Sequence, residues 1–237
     1  MKDEDPLNLD IARNLKAVQD RIADTCARMG RDPRTVRLVS VTKTMGPETV
    51  RLAIQAGAVL FGENYIQEAR EKCEILAPYP VSWHFIGHLQ SNKARYAVRL
   101  FDLIHSVDSL RLATELDREA RKIGKVQKIL IQINIGNEAS KSGIAAESAE
   151  TLMRSLSGFS NISVQGLMVI PPFFDEPERV RPYFRGLREL RDSLMKSAMG
   201  GISLDELSMG MTGDFEAAIE EGATLVRIGT AIFGERQ

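Results

Sequence analysis

Short apolar runs alternate with helical patterns along nearly the whole chain, and few folds accept such an alternation. Runs that are apolar, small or β-branched recur at about 38–42, 58–62, 82–86, 102–106, 126–135, 163–169, 204–208 and 224–228. Their length and composition read as buried strands rather than helices. Between them, at about 47–56, 65–76, 91–100, 110–123, 147–156, 177–199 and 214–221, lie segments of helical pattern. Pro47 suits the first turn of one helix, and Gly124 stops another. A further helix over about 7–29 precedes the first strand, with Leu7, Ile11, Leu15, Val18 and Ile22 on one face and Gly30 after it. Eight strands alternating with helices over about 200 residues match the count and size of a closed (β/α)8 barrel. An eight-strand doubly wound sheet is the competitor, but no Gly-rich dinucleotide turn follows the first strand. The chain is therefore expected to be α/β: one (β/α)8 TIM barrel domain over about 36–234, with an extra N-terminal helix. No linker or low-complexity segment divides its 237 residues.

Composition acts by exclusion. With 31 basic and 32 acidic residues the net charge is −1, so neither nucleic acid nor a charged membrane surface is indicated as a partner. No apolar run approaches the ~18 residues of a membrane span. Residues 1–10 are polar and acidic and lack a signal-peptide core, so a cytoplasmic protein is expected. Cys26 and Cys73 form no CxxC pair, and His84, His88 and His105 show no metal-ligand spacing. No metal site is expected.

In parallel α/β architectures ligands bind at the carboxyl ends of the strands. The first strand, Leu38-Val39-Ser40-Val41-Thr42, runs into Lys43 before Met45-Gly46-Pro47 break it. Alternation puts Lys43 on the face of Val39 and Val41. An amine held against such a wall loses hydration, its pKa falls, and it becomes a Schiff-base candidate. A lysine snorkelling into water at a strand end is the plainer alternative. After the seventh strand comes Ser208-Met209-Gly210-Met211-Thr212-Gly213-Asp214, and after the eighth Ile228-Gly229-Thr230-Ala231-Ile232-Phe233-Gly234. Both segments combine glycines with a hydroxyl and lead into a helix or turn, where backbone N–H groups can approach an anion. Barrels commonly hold a phosphate at these two loops. As plain turn residues the glycines need no ligand, and the Asp214 carboxylate would have to point away from a phosphate.

Arg227 alternates with Val226 and Ile228 and is expected to face the barrel interior. A buried guanidinium needs an acceptor, either the Glu63 carboxylate or a ligand atom. Asn64 either caps the helix after it or aims its amide at a ligand. His84 is expected to be an interior packing residue, behind the site at most. Together, an imine-forming lysine, a phosphate cradle and an inward arginine describe a phosphorylated aldehyde as ligand, and pyridoxal 5'-phosphate fits best. An arginine at the ring nitrogen makes a weak electron sink, because it stays charged and leaves that nitrogen unprotonated.

Several stretches also carry a resemblance. Val41-Thr42-Lys43-Thr44, Phe61-Gly62-Glu63-Asn64-Tyr65, Trp83-His84-Phe85-Ile86-Gly87, Leu89-Gln90-Ser91-Asn92-Lys93, Ser208-Met209-Gly210-Met211 and Val226-Arg227-Ile228-Gly229-Thr230-Ala231-Ile232-Phe233-Gly234 resemble the pyridoxal phosphate homeostasis proteins. That family is similar to the N-terminal barrel domain of alanine racemase, and the match covers about 36–234. The resemblance implies that Lys43 holds pyridoxal 5'-phosphate as an internal aldimine. It implies that Ser208, Met211, Thr212, Gly229 and Thr230 surround the phosphate, with Arg227 at the pyridine nitrogen and Asn64 beside the ring. Two details depart from the family pattern: His88 stands where a proline or another small residue is more usual, and Thr212-Gly213-Asp214 replaces a Ser-x-Asp run.

The function implied is a carrier that buffers the cofactor in vitamin B6 and amino-acid homeostasis, with apo pyridoxal-phosphate enzymes as candidate recipients. Alanine racemase takes a second base from its C-terminal domain across a dimer. This chain ends soon after the eighth strand, so a monomer without fast proton exchange at Cα is expected. The alternative is a small pyridoxal-phosphate enzyme, such as an amino-acid racemase or lyase. A phosphate-sugar barrel enzyme with a Schiff-base lysine is a third possibility that shares Lys43 and the cradle. The polar segment 136–143, around Lys141, is either a lid or disordered.

Overall fold

The alternation closes on itself. In the computed structural model, which describes residues 6–136, 142–197 and 202–235, the barrel strands are β1 Arg37–Val41, β2 Leu60–Glu63, β3 Ser82–Phe85, β4 Leu103–Val107, β5 Gln127–Asn134, β7 Ile162–Val169, β8 Glu206–Ser208 and β9 Leu225–Ile228. All neighbours pair in parallel in the order β4-β3-β2-β1-β9-β8-β7-β5, and a β4–β5 pairing closes the ring. This is the expected TIM barrel. The outer layer comprises α2 Pro47–Gln55, α3 Ile66–Ile75, α4 Ala94–Leu100, α5 Leu110–Lys122, α6 Ala149–Leu156, α7 Arg181–Lys196 and α8 Phe215–Glu220. At α5, Gly124 acts as expected and takes φ +64° after the helix end, and at its start Ser109 Oγ accepts the Leu112 N–H.

Alternation along the strands separates two cores. Val39, Leu60, Leu103, Leu130, Met168 and Leu225 fill part of the barrel interior. The larger core lies between strands and helices and takes Phe61, Trp83, Phe85, Ile104, Val226 and Ile228 from the outward faces. Parity then places His84, His105 and Arg227 inside with the smaller set.

The N-terminal helix α1 Pro6–Arg28 packs outside the ring against α2, α8 and the last helix. Ile11, Leu15, Val18, Ile22 and Cys26 are its buried face, and Arg21 makes a two-point bond to Glu216 of α8 at 2.9 Å.

Several elements differ from expectation, and the expected helices at 91–100 and 147–156 each open with a 3-10 turn, Ser91–Lys93 and Ala146–Ser148. The expected terminal tail contains a four-residue helix, α9 Thr230–Phe233. A two-residue strand, β6 Ile144–Ala145, pairs with the end of β5. The expected helix at 177–199 is a 3-10 turn, Pro177–Arg179, followed by α7. Lys141 and most of its polar segment lie outside the described residues. Among the described residues no helix is long and apolar enough to cross a membrane.

Candidate functional site

The carboxyl end of the barrel holds a cavity of about 220 Å³. Lys43 from the end of β1, Asn64 from β2, Met211 from β8, and Arg227, Gly229 and Thr230 from β9 all line it. Its apolar walls are Val41, Ile86 and Ile170. Val41 follows from the alternation at Lys43. Ile86 and Ile170 carry no signal beyond lying one residue past a strand end.

The backbone on both sides of Lys43 is clamped. Thr42 Oγ1 donates to Glu63 Oε1 at 2.6 Å, and Lys72 Nζ donates to the same oxygen at 2.7 Å and to the Thr42 carbonyl at 2.6 Å. On the other side, the Thr44 N–H donates to Glu68 Oε2 at 2.8 Å. Thr44 itself sits at φ +67°, a region that a β-branched residue enters only under constraint. Lys43 is thus fixed at a strained turn whose two flanks are tied to α3 and the end of β2.

Glu63 is therefore not the acceptor for Arg227. Phe61 belongs to the outer core, so Glu63, two residues on, also faces the helices, where Lys72 of α3 reaches it. Burial pushes the Glu63 carboxyl above its ordinary range, and Lys72 opposes that shift.

Arg227 points inward as expected. Nη1 donates to Ser208 Oγ at 2.6 Å and Nη2 to the Val169 carbonyl at 2.9 Å. Burial lowers its pKa to about 10, which leaves it charged at neutral pH. Ser208 does not line the cavity. It is fully buried, and its hydroxyl lies 2.8 Å from His105 Nδ1, with His84 Nδ1 2.9 Å from the far nitrogen of that ring. Burial pushes His84 down to about 3 and holds His105 well below the usual range, so both rings are neutral. His84 is accordingly an interior residue with a bonded partner.

The β8 loop turns sharply through Gly210 at φ +92°, where an added Cβ would lie 2.6 Å from that of Ala218. The Asp214 carboxylate points back to accept the Met211 N–H at 2.6 Å. Thr212 is half-buried in that turn and does not line the cavity. At the end of β9, the Gly229 carbonyl accepts the Ile232 and Phe233 N–H groups, so Thr230 opens a helical turn whose first N–H groups lack intrahelical acceptors.

Asn64 does not cap α3: the cap residue is Tyr65, with no side-chain bond. Its amide oxygen is instead buried without a partner. The Asn64 turn is held by Gly87, where a Cβ would sit 2.2 Å from the Asn64 carbonyl oxygen.

Comparison with known proteins gives the family and agrees with the fold. Residues 13–237 match the family model for the alanine racemase N-terminal domain. A pyridoxal phosphate homeostasis protein of Aquifex aeolicus is 44% identical over 229 residues, 97% of this chain and all of that protein. Another, from Pseudomonas aeruginosa, is 44% identical over 226 residues, 95% of this chain and 96% of that one. The structure of PipY of Synechococcus elongatus with PLP bound superimposes with a TM-score of 0.80 at 37% identity, covering 90% of this chain and 100% of that one. A TIM barrel of the alanine racemase type, spanning the full length of such relatives, places this chain in the pyridoxal phosphate homeostasis protein family.

Proposed function

We propose that this chain is a carrier of pyridoxal 5'-phosphate, which it holds through Lys43 at the carboxyl end of the barrel. The observation that carries the proposal is the convergence of Lys43, Asn64, Met211, Arg227, Gly229 and Thr230 on one cavity. The name of the relatives and the PLP bound to PipY support it. The residues also fit the group on their own terms, since the buried, unpaired Asn64 oxygen needs a partner such as a ring hydroxyl.

When bound, the cofactor supplies an aldehyde that a primary amine captures with loss of water. Lys43 is the amine, and its clamped, strained turn fixes where that amine stands. Met211 and the segment Gly229–Thr230 would hold the phosphate, the latter with N–H groups of a first helical turn. The Thr230 hydroxyl would add a donor, whereas Thr212 does not line the cavity. Ser208 serves the phosphate only indirectly, because its hydroxyl is committed to Arg227 and His105.

Arg227 would meet the ring nitrogen as a permanent cation that donates and does not protonate it. Among the described residues lining the cavity, Lys43 is the sole candidate proton acceptor, so two-base exchange at an amino acid's Cα has no second base. This favours holding the cofactor and handing it to apo-enzymes, by a cytoplasmic monomer, over racemisation. The test is to incubate the loaded protein with an apo-aminotransferase and, separately, with single L-amino acids. Activity should return to the aminotransferase while the amino acids keep their configuration. Formation of D-amino acids would overturn the carrier assignment.

A further inference from the structure

Four buried side chains form one hydrogen-bonded line through the barrel interior, and only the first of them faces the proposed cofactor. Arg227 Nη1 lies 2.6 Å from Ser208 Oγ, which lies 2.8 Å from His105 Nδ1, and His105 Nε2 lies 2.9 Å from His84 Nδ1. The line ends at His84, on the wall of a second cavity of about 500 Å³ at the opposite end of the barrel.

Counting protons gives the line a direction. A guanidinium only donates, so the Ser208 oxygen accepts from Arg227 and its single proton needs an acceptor elsewhere. His105 Nδ1 is in place for it. His105 is neutral, so with Nδ1 accepting, its own proton sits on Nε2 and points at His84 Nδ1. His84 then carries its proton on Nε2, toward the second cavity.

We propose that His105, backed by His84, is a positioning residue for Arg227. By taking the Ser208 proton it turns a Ser208 lone pair toward Nη1. With the Val169 carbonyl on Nη2, this locks the planar guanidinium in one orientation against the ligand ring. A Ser208 proton turned toward Arg227 would instead leave the buried cation with an opposed dipole. The ligand-dependent half of the proposal rests on pyridoxal phosphate binding as proposed above, whereas the tautomers are a property of the chain itself.

The first test uses the full chain labelled with 15N-histidine, without added ligand, in two-bond 1H–15N correlation spectra. His88, which is exposed, is assigned with His88→Gln. The expected result is an unprotonated Nδ1 and a protonated Nε2 on both His105 and His84. A protonated Nδ1 on His105 would overturn the proposal.

The second test is equilibrium titration with pyridoxal 5'-phosphate. His105→Leu removes the acceptor, whereas His105→Asn puts an amide oxygen near the former Nδ1. Loss of a bond that orients a charged group should weaken binding about tenfold in His105→Leu, with recovery to within about threefold of wild type in His105→Asn. Equal affinity of wild type and His105→Leu would contradict the proposal. If His105→Leu does not fold, Ser208→Ala breaks the same line, and the same tenfold loss is expected. A wild-type chain that binds no pyridoxal phosphate would refute the cofactor assignment, and the tautomer spectrum would still decide this proposal.

Discussion

Lys43 and its two neighbours show how a residue acquires a role. A lysine at a strand end is ordinary; one whose preceding carbonyl and following N–H are both held by buried or partly buried charged groups is aimed. The cost is visible at Thr44, whose φ of +67° corresponds to strain of about 1–3 kcal/mol. Thr44→Gly removes that strain and should raise unfolding stability by about 1 kcal/mol in urea melts. It should also loosen Lys43 and weaken cofactor binding. A variant less stable than wild type would show that the Thr44 side chain does more than sit in a strained turn. Lys43, Arg227 and the glycine loops were legible because type and position at a strand end coincide. The partner of Arg227 was not. The parity of Phe61-Gly62-Glu63 already turns Glu63 toward the helices, but choosing Lys72 as its partner requires knowing where α3 lies.

Elements were legible wherever their period persists for several residues. The eight barrel strands and the helices between them lie where the apolar runs and the three- and four-residue spacing put them. β6 and α9 span two and four residues, too few for either period to emerge. The start of α7 moved inward because Pro177–Arg179 forms a tighter 3-10 turn first. The extra helix α1 carries a prediction of its own. Leu15 is 1% exposed on its buried face, on the outer side of the barrel. Leu15→Ala should cost about 2–5 kcal/mol of stability by denaturant titration and leave cofactor affinity within about twofold. A large loss of affinity would mean that α1 holds the site as well as the fold.

At the scale of the molecule, closure of the ring through β1–β9 and β4–β5 sets both the site and its chemistry. It brings Lys43 beside Arg227, as counting eight strands allows one to foresee. It also brings His84, His105 and Ser208 from three strands into contact, and strand stagger of that kind is not written in any local pattern. These buried neutral histidines make stability depend on pH. In the unfolded chain each takes up a proton as pH falls below about 6.5. In the folded barrel His84 does so only near 3 and His105 only well below its usual range. The unfolded state therefore binds more protons between those limits, and stability falls as pH drops through that window. At pH 5 the loss from His84 should be about 2 kcal/mol relative to pH 8, read from urea midpoints, with His105 acting in the same direction. His105→Asn should show a smaller loss than wild type. A wild-type stability that is flat from pH 8 to 5 would place these rings in a far more hydrated setting.

The central claim is that Lys43 carries pyridoxal 5'-phosphate, and the most direct test is the visible absorption spectrum of the chain with added pyridoxal 5'-phosphate, before and after borohydride. Wild type should show a yellow band that reduction abolishes, with the pyridoxyl adduct found on Lys43 by mass spectrometry, and Lys43→Ala should lack both. A wild-type chain that stays colourless with the cofactor, or that carries the reduced adduct on another lysine, would contradict the account.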